Sequence, residues 1–215
     1  SSVTGVQTCA LPICARSIHD LKKLAGKRIT SKYTSLSIIE IFIEGALANG
    51  NVSYSDFKKV PVSGFAKGIF ALGEGKTDIS WISLGSGAGR KVNTQLRKRG
   101  GFVYLDMDTS PAGIARFKKH MPAADIVLES NTKMPGIMKP TNIVQIDYVL
   151  FTHKGMNEET VYKVTKALAT NKAHLAKSMG AFNRLNPKTF AEPSMAPYHP
   201  GALKAIKELG LKMGS

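Results

Sequence analysis

Between residues 28 and 129 the chain alternates short β-prone apolar runs with stretches whose apolar residues recur at helical spacing, and this alternation is its strongest constraint on fold. A strand over Arg28–Ser31 leads into "SLSIIEIFIEGALANG", where Ile39, Phe42, Ile43, Ala46 and Leu47 form one stripe that Asn49 and Gly50 stop. "FKKVPVS" reads as a second strand, and "GFAKGIFALGEG" as a second helix with Phe65, Ile69 and Leu72 inward. "TDISWISL" is then a buried strand, "AGRKVNTQLRKRG" a basic helix and "GFVYLDM" another strand. Ser110 caps a helix whose first position is Pro111, and "ADIVLES" supplies a further strand. Strands alternating with helices dictate an α/β fold, a doubly wound sheet whose ligand sites lie at the carboxyl ends of its strands.

The pattern changes after Pro140. "NIVQIDYVLFTH" has extended character over about a dozen residues, twice the usual strand, so it suits a segment that passes from one lobe to another. Beyond it, Asn157 caps a helix with Glu158 and Glu159 in its first turn and Val161, Val164 and Leu168 on one face. A terminal helix starts at Pro200 and stops before Gly210.

Residues 1–14, "SSVTGVQTCALPIC", stand apart. A signal peptide needs a basic start and a continuous apolar run, and this stretch has neither. "LPIC" puts Pro12 and Ile13 where a lipidation motif wants small residues. Back-translated, Val3 to Ile13 resemble one frame of a common sequencing adapter. On that reading residues 1–14 are a non-native segment without packing, the coding sequence starts near Ala15, and an export signal is expected upstream. Both cysteines, Cys9 and Cys14, leave the argument with it.

Lys and Arg number 30 against 15 Asp and Glu, a net charge of +15. Such an excess raises nucleic acid as a partner, but the cations sit in short pieces beside helical patterns, and no helix-turn-helix, zinc finger or RNA-recognition strand accompanies them. A solvated basic surface is the better account. His19, His120, His153, His174 and His199 share no metal-ligand spacing and read as surface or capping residues. No Gly-x-Ser-x-Gly elbow occurs, because "GSGAG" puts Ser86 second, and Asp106 and Asp108 beyond a strand end either help a site or, the better account, form a solvated loop. These patterns support neither an enzyme nor a cofactor nor a metal site.

Two polar turns remain. "SLGSGAGR" has Gly85, Gly87 and Gly89 between a strand and a helix, but the sixth position of the dinucleotide fingerprint is Arg90. Its backbone N–H groups can still cradle an anion, which brings Ser83, Gly85, Ser86 and Gly87 into a candidate site. "SKYTSLS" opens the first helix of the alternating region, where Thr34, Ser35 and Ser37 either cap it or offer hydroxyls to a ligand, and Tyr33 either walls the site or packs in the core.

"DLKKLAGKRIT", "VYKVTKAL" and "PYHPGALKAIKELG", in this order, resemble the TAXI family of TRAP-transporter solute receptors. Asp20, Leu21, Gly26, Lys27 and Ile29 match the opening of that family's second lobe with a two-residue expansion. Val161-Tyr162 and His199-Pro200-Gly201-Ala202 match motifs near its end. The resemblance runs from about Ile18 to Leu211. It implies a periplasmic-binding-protein-like II fold, with 15–26 leading in, 27–146 as lobe 2 and 147–215 as the returning part of lobe 1, whose opening half is missing. It further implies a periplasmic, monomeric receptor that takes a small organic anion, such as an amino acid or dicarboxylate, to TRAP membrane permease subunits by hinge closure. "SKYTSLS" departs from the family's glycine-rich turn. The rival function is a nucleotide-binding α/β enzyme using the Gly85–Gly89 turn; a third is a basic nucleic-acid-binding module.

Overall fold

Backbone hydrogen bonds gather the alternating segments into one five-stranded sheet. In the computed structural model, which describes residues 8–9, 17–178, 180–186, 191 and 196–211, β1 (Thr8–Cys9), β2 (Arg28–Ser31), β3 (Lys58–Pro61), β4 (Ile79–Ser80) and β5 (Val103–Tyr104) lie in the order β3-β2-β4-β1-β5. The described residues divide into two compact units, one up to Ile146 and one from Asp147 on.

In the first unit, α1 (Ile38–Asn49) carries the chain from β2 to β3, and α2 (Phe65–Gly73) carries it from β3 to β4. Both crossovers return parallel: Arg28 to Ser31 pair with Lys58 to Pro61, and Ile29 pairs with Ile79. Pro61 lacks an N–H, which suits the edge position of β3. α3 (Gly87–Gln95) and α4 (Pro111–His120) follow β4 and β5, with α1 packed on α4 and α2 on α3. The expected inward positions Ile39, Ile43, Ala46, Ile69 and Leu72 are buried, and Phe42 stacks at a tilt on fully buried Trp81 with ring centroids 5.5 Å apart. Burying a side chain of this size contributes about 1.5–3 kcal/mol, so these positions dominate the core.

Three expectations are corrected. The strand β6 (Asp125–Glu129) does not join the main sheet; it pairs antiparallel with β7 (Thr141–Gln145) as a separate two-stranded sheet. Period-2 alternation reports a half-buried strand without naming its neighbour, and the nearest following strand took the pairing. The long extended run therefore ends its ladder near Ile146, and residues 147–153 hold no strand. Finally, the adapter-like stretch is not wholly without packing: Thr8 and Cys9 pair antiparallel with Ser80 and Ile79 on one side and with Tyr104 and Val103 on the other. A ladder uses only backbone N–H and C=O groups, so a gap between two strands accepts almost any extended dipeptide. The remainder of residues 1–14 lies outside the described residues.

The second unit contains α5 (Glu158–Thr170), α6 (Lys172–Ser178) and α7 (Pro200–Glu208). Asn157 caps α5 by accepting from Thr160 N at 3.0 Å, as its position suggests. The buried face, however, runs through Thr165 and Ala169, and Val164 is 42% exposed. His199 caps α7, its Nδ1 accepting from Gly201 N at 3.2 Å, and Gly210 follows the helix at φ +63°. α5 packs closely on α7 because Gly201 lies against the carbonyl of Glu158, where a Cβ would overlap.

Candidate functional site

β2 and β4 are adjacent and parallel, so the turns that follow them leave the same edge of the sheet. The first turn begins at Lys32, held at φ +50°, a left-handed conformation costly for a side chain other than glycine. Its N–H donates to Glu40 Oε1 at 2.8 Å. Ser35 N and Thr34 Oγ1 both donate to the carbonyl of Ser63, at 3.0 and 3.2 Å, tying this turn to the end of β3. Ser37 is the N-cap of α1, but its side chain makes no capping bond. Thr34, Ser35 and Ser37 are exposed.

Tyr33 is 1% exposed and lies beneath this turn, not beside it. Its hydroxyl donates to Thr30 Oγ1 at 2.6 Å, and its ring occupies the space where Gly68 of α2 has no side chain. Burial pushes the phenol pKa above its ordinary value, opposed by its hydrogen bond to Thr30, so it stays neutral. Of the two sequence-level options, the core position is the observed one, and the walling role is withdrawn.

The second turn has a different character. Ser86 caps α3, accepting from Gly89 N at 3.1 Å, and its own N–H donates to the carbonyl of Ser83. Gly85 adopts φ +73°, which favours glycine, and a Cβ there would meet the Met134 methyl. Gly87 opens onto free space. At the start of a helix the first amides have no intrahelical acceptor and the dipole presents its positive end. α3 has no acidic residue in its first turn, whereas α1 has Glu40. An incoming anion is therefore repelled less at α3 than at α1.

Sequence reasoning passed over two features here. Ser37-x-x-Glu40 is a capping-box spacing, and its acid instead secures Lys32. Ser31 and Ser80, the last residues of β2 and β4, are 0% exposed with hydroxyls lacking a protein partner, a feature no local pattern signals.

Asp106 and Asp108 are not a solvated loop. Asp106 Oδ1 accepts from both nitrogens of Asn142, and Asp108 accepts from Ser110 N while its Oδ2 lies 3.3 Å from Arg116 Nη2. They brace the segment after β5. Among the described residues no group of three or more His, Cys, Asp or Glu is arranged to hold a metal, and no helix is long and apolar enough to cross a membrane.

Comparison with known proteins extends this picture. No curated protein matches the chain in sequence. Among solved structures, the periplasmic aliphatic sulphonate binding protein SsuA from Escherichia coli is similar over 88% of this chain and 53% of its own, at 11% identity and a TM-score of 0.43. The alkanesulfonate-binding protein SsuA from Xanthomonas axonopodis pv. citri, solved bound to MOPS, is similar over 87% of this chain and 53% of its own, at 14% identity and a TM-score of 0.43. The chain spans about half the length of these proteins. The sequence profile of the NMT1-like family matches residues 6–210, nearly the whole chain, and the chain belongs to that family.

Proposed function

We propose that this chain is the solute-capturing part of a periplasmic transport receptor, and that a small organic anion is held at the carboxyl edge of β2 and β4. The observation that carries this reading is the adjacency of those two parallel strands, which sends two hydroxyl-bearing turns off one edge. The anionic group sits at the N-terminus of α3, against the amides of Gly87 and Ala88 and the turn from Ser83 to Ser86. Ser37, Ser35 and Thr34 offer hydroxyls from the other turn. In the finer reading, taken from the TAXI resemblance, the ligand is a carboxylate, an amino acid or dicarboxylate, passed to TRAP permease subunits. Closure of two lobes over the ligand supplies affinity in such a receptor.

The test is calorimetric titration of the protein with amino acids, dicarboxylates, alkanesulfonates, NAD, ATP and an oligonucleotide. A small organic anion binds, and the 215-residue chain alone binds it weakly. Gly87→Asp places a carboxylate where the anion would sit; because an acid suits the first turn of a helix, the variant keeps its stability and loses at least tenfold in affinity. Preference for an alkanesulfonate replaces the carboxylate assignment while keeping the receptor reading. Tight nucleotide binding with turnover would sink the receptor reading and favour the enzyme.

A further inference from the structure

A groove of about 340 Å³ opens in the first unit between the end of α3 and residues 132–138. The packing beneath it is apolar. Gly136, at φ +86°, brings its backbone against the Phe102 and Tyr104 rings, where a Cβ would overlap both, and its carbonyl accepts from Tyr104 N at 3.0 Å. Those two rings pack edge to face with centroids 5.7 Å apart. Met134 and Met138 line the groove above them, Met138 being 69% exposed. Arg97 and Lys133 stand on the rim, exposed, and among the described residues neither is in an ion pair.

Charge around the groove is one-sided over a long distance in sequence. No acid occurs between Asp78 and Asp106, a stretch holding Arg90, Lys91, Arg97, Lys98 and Arg99. None occurs between Glu129 and Asp147, a stretch holding Lys133 and Lys139. These two acid-free stretches supply both walls. Some cations of the same unit are matched, as in Arg28 with Asp78, Arg116 with Asp108 and Lys118 with Asp125, and Lys139 reaches Asp106 at 3.7 Å, which leaves Arg97 and Lys133 as the groove's unmatched pair among the described residues.

We infer that this groove docks an acidic peptide segment of a partner protein, with one apolar side chain seated between Met134 and Met138 and carboxylates on Arg97 and Lys133. Flexible, polarizable methionines adapt to an incoming side chain and recur at peptide-binding surfaces. A basic rim around an apolar centre is the charge complement of such a segment. A small free anion would leave the methionines unused. A nucleic acid would find no ring to stack on, since Phe102 and Tyr104 are 2% and 3% exposed. The inference uses none of the residues of the two turns as contacts, although Met134 also lies against Gly85 of the second turn, so the peptide titrations are run without a small organic anion.

The experiment is fluorescence anisotropy on the full chain with three labelled peptides: a Glu-rich peptide with a central Leu, the same peptide with Leu→Ser, and a Gln-for-Glu version. The acidic, Leu-bearing peptide binds in the micromolar range and weakens about tenfold or more between 50 and 300 mM salt, as an exposed ionic contact should. The double variant Arg97→Glu/Lys133→Glu weakens it at least tenfold, and Met138→Lys at least fivefold. The double variant Arg90→Glu/Lys91→Glu, which makes the same change in net charge outside the groove, leaves binding within twofold, and circular dichroism checks that each variant keeps its fold. The proposal is overturned if the Gln or Ser peptide binds as well, if Arg90→Glu/Lys91→Glu weakens binding as much as the groove variant, or if a single-stranded oligonucleotide binds more tightly and displaces the peptide.

Discussion

At the scale of single residues, the molecule uses glycine and buried hydroxyls where backbones or rings must approach closely. Tyr33→Phe removes the hydrogen bond to Thr30 Oγ1 in a fully buried place and should cost about 1–2 kcal/mol in urea unfolding. Because Tyr33 lies under the turn, the same variant should leave organic-anion affinity within about twofold in calorimetry. Gly201→Ala pushes a methyl into the Glu158 carbonyl and should lower stability by about 2 kcal/mol or more, read as loss of α5–α7 packing by thermal unfolding. The His-Pro-Gly-Ala run was legible as a motif, and its physical basis is local at one end only. The His cap and the Pro at the helix start follow from sequence position, but the need for Gly depends on α5, some 40 residues away, and no spacing rule reports that distance.

At the scale of elements, β2 and β4 are joined at their starts by a charged clasp. Arg28 Nε and Nη2 donate to Asp78 Oδ2 and Oδ1 at 3.0 and 2.7 Å, and Arg28 N also donates to Asp78 Oδ2 at 2.9 Å. The side-chain bond from Arg28, above all, holds the Asp78 carboxyl below its ordinary value, while partial burial opposes this. A depressed folded value means that the stabilisation is complete above the unfolded carboxyl value of about 3.9 and is lost as pH falls through the folded one. Asp78→Asn should therefore be less stable than the parent by about 1–2 kcal/mol near pH 7, with part of Arg28 in solvent keeping the figure modest, and the gap should close below about pH 4 in denaturant titrations. Element positions were largely readable: Arg28–Ser31, the α1 stripe, the Ser110-Pro111 start and the Asn157 cap all stand where sequence put them. Pairing was not, and β6 shows why. Its composition says strand, yet a strand's partner is chosen by chain segments competing in space for the same backbone groups.

At the scale of the whole molecule, the division at Asp147 leaves Tyr148, Val149, Leu150 and Phe151 consecutively exposed, at 64–87%, with no assigned secondary structure. Brief chymotrypsin treatment should cut first at Tyr148, Leu150 or Phe151, before the buried aromatics Tyr33, Tyr54, Trp81 and Phe102, and mass spectrometry of the early fragments checks the order. First cuts between β2 and β5 would contradict the core described above. The candidate site belongs to this same scale. Its two turns were each visible as polar runs after a strand, because turn chemistry and helix caps act over three or four residues. By itself, then, the sequence determined the α/β alternation, the helix starts and stops and the chemical character of both turns, all of which depend on neighbours along the chain. Only the tertiary structure decided that β2 and β4 lie side by side, that Tyr33 goes under its turn, that Glu40 secures the Lys32 N–H, and that Thr8–Cys9 fills the sheet. Those outcomes rest on contacts between distant segments and on backbone groups common to every residue, and neither leaves a periodic trace in the sequence.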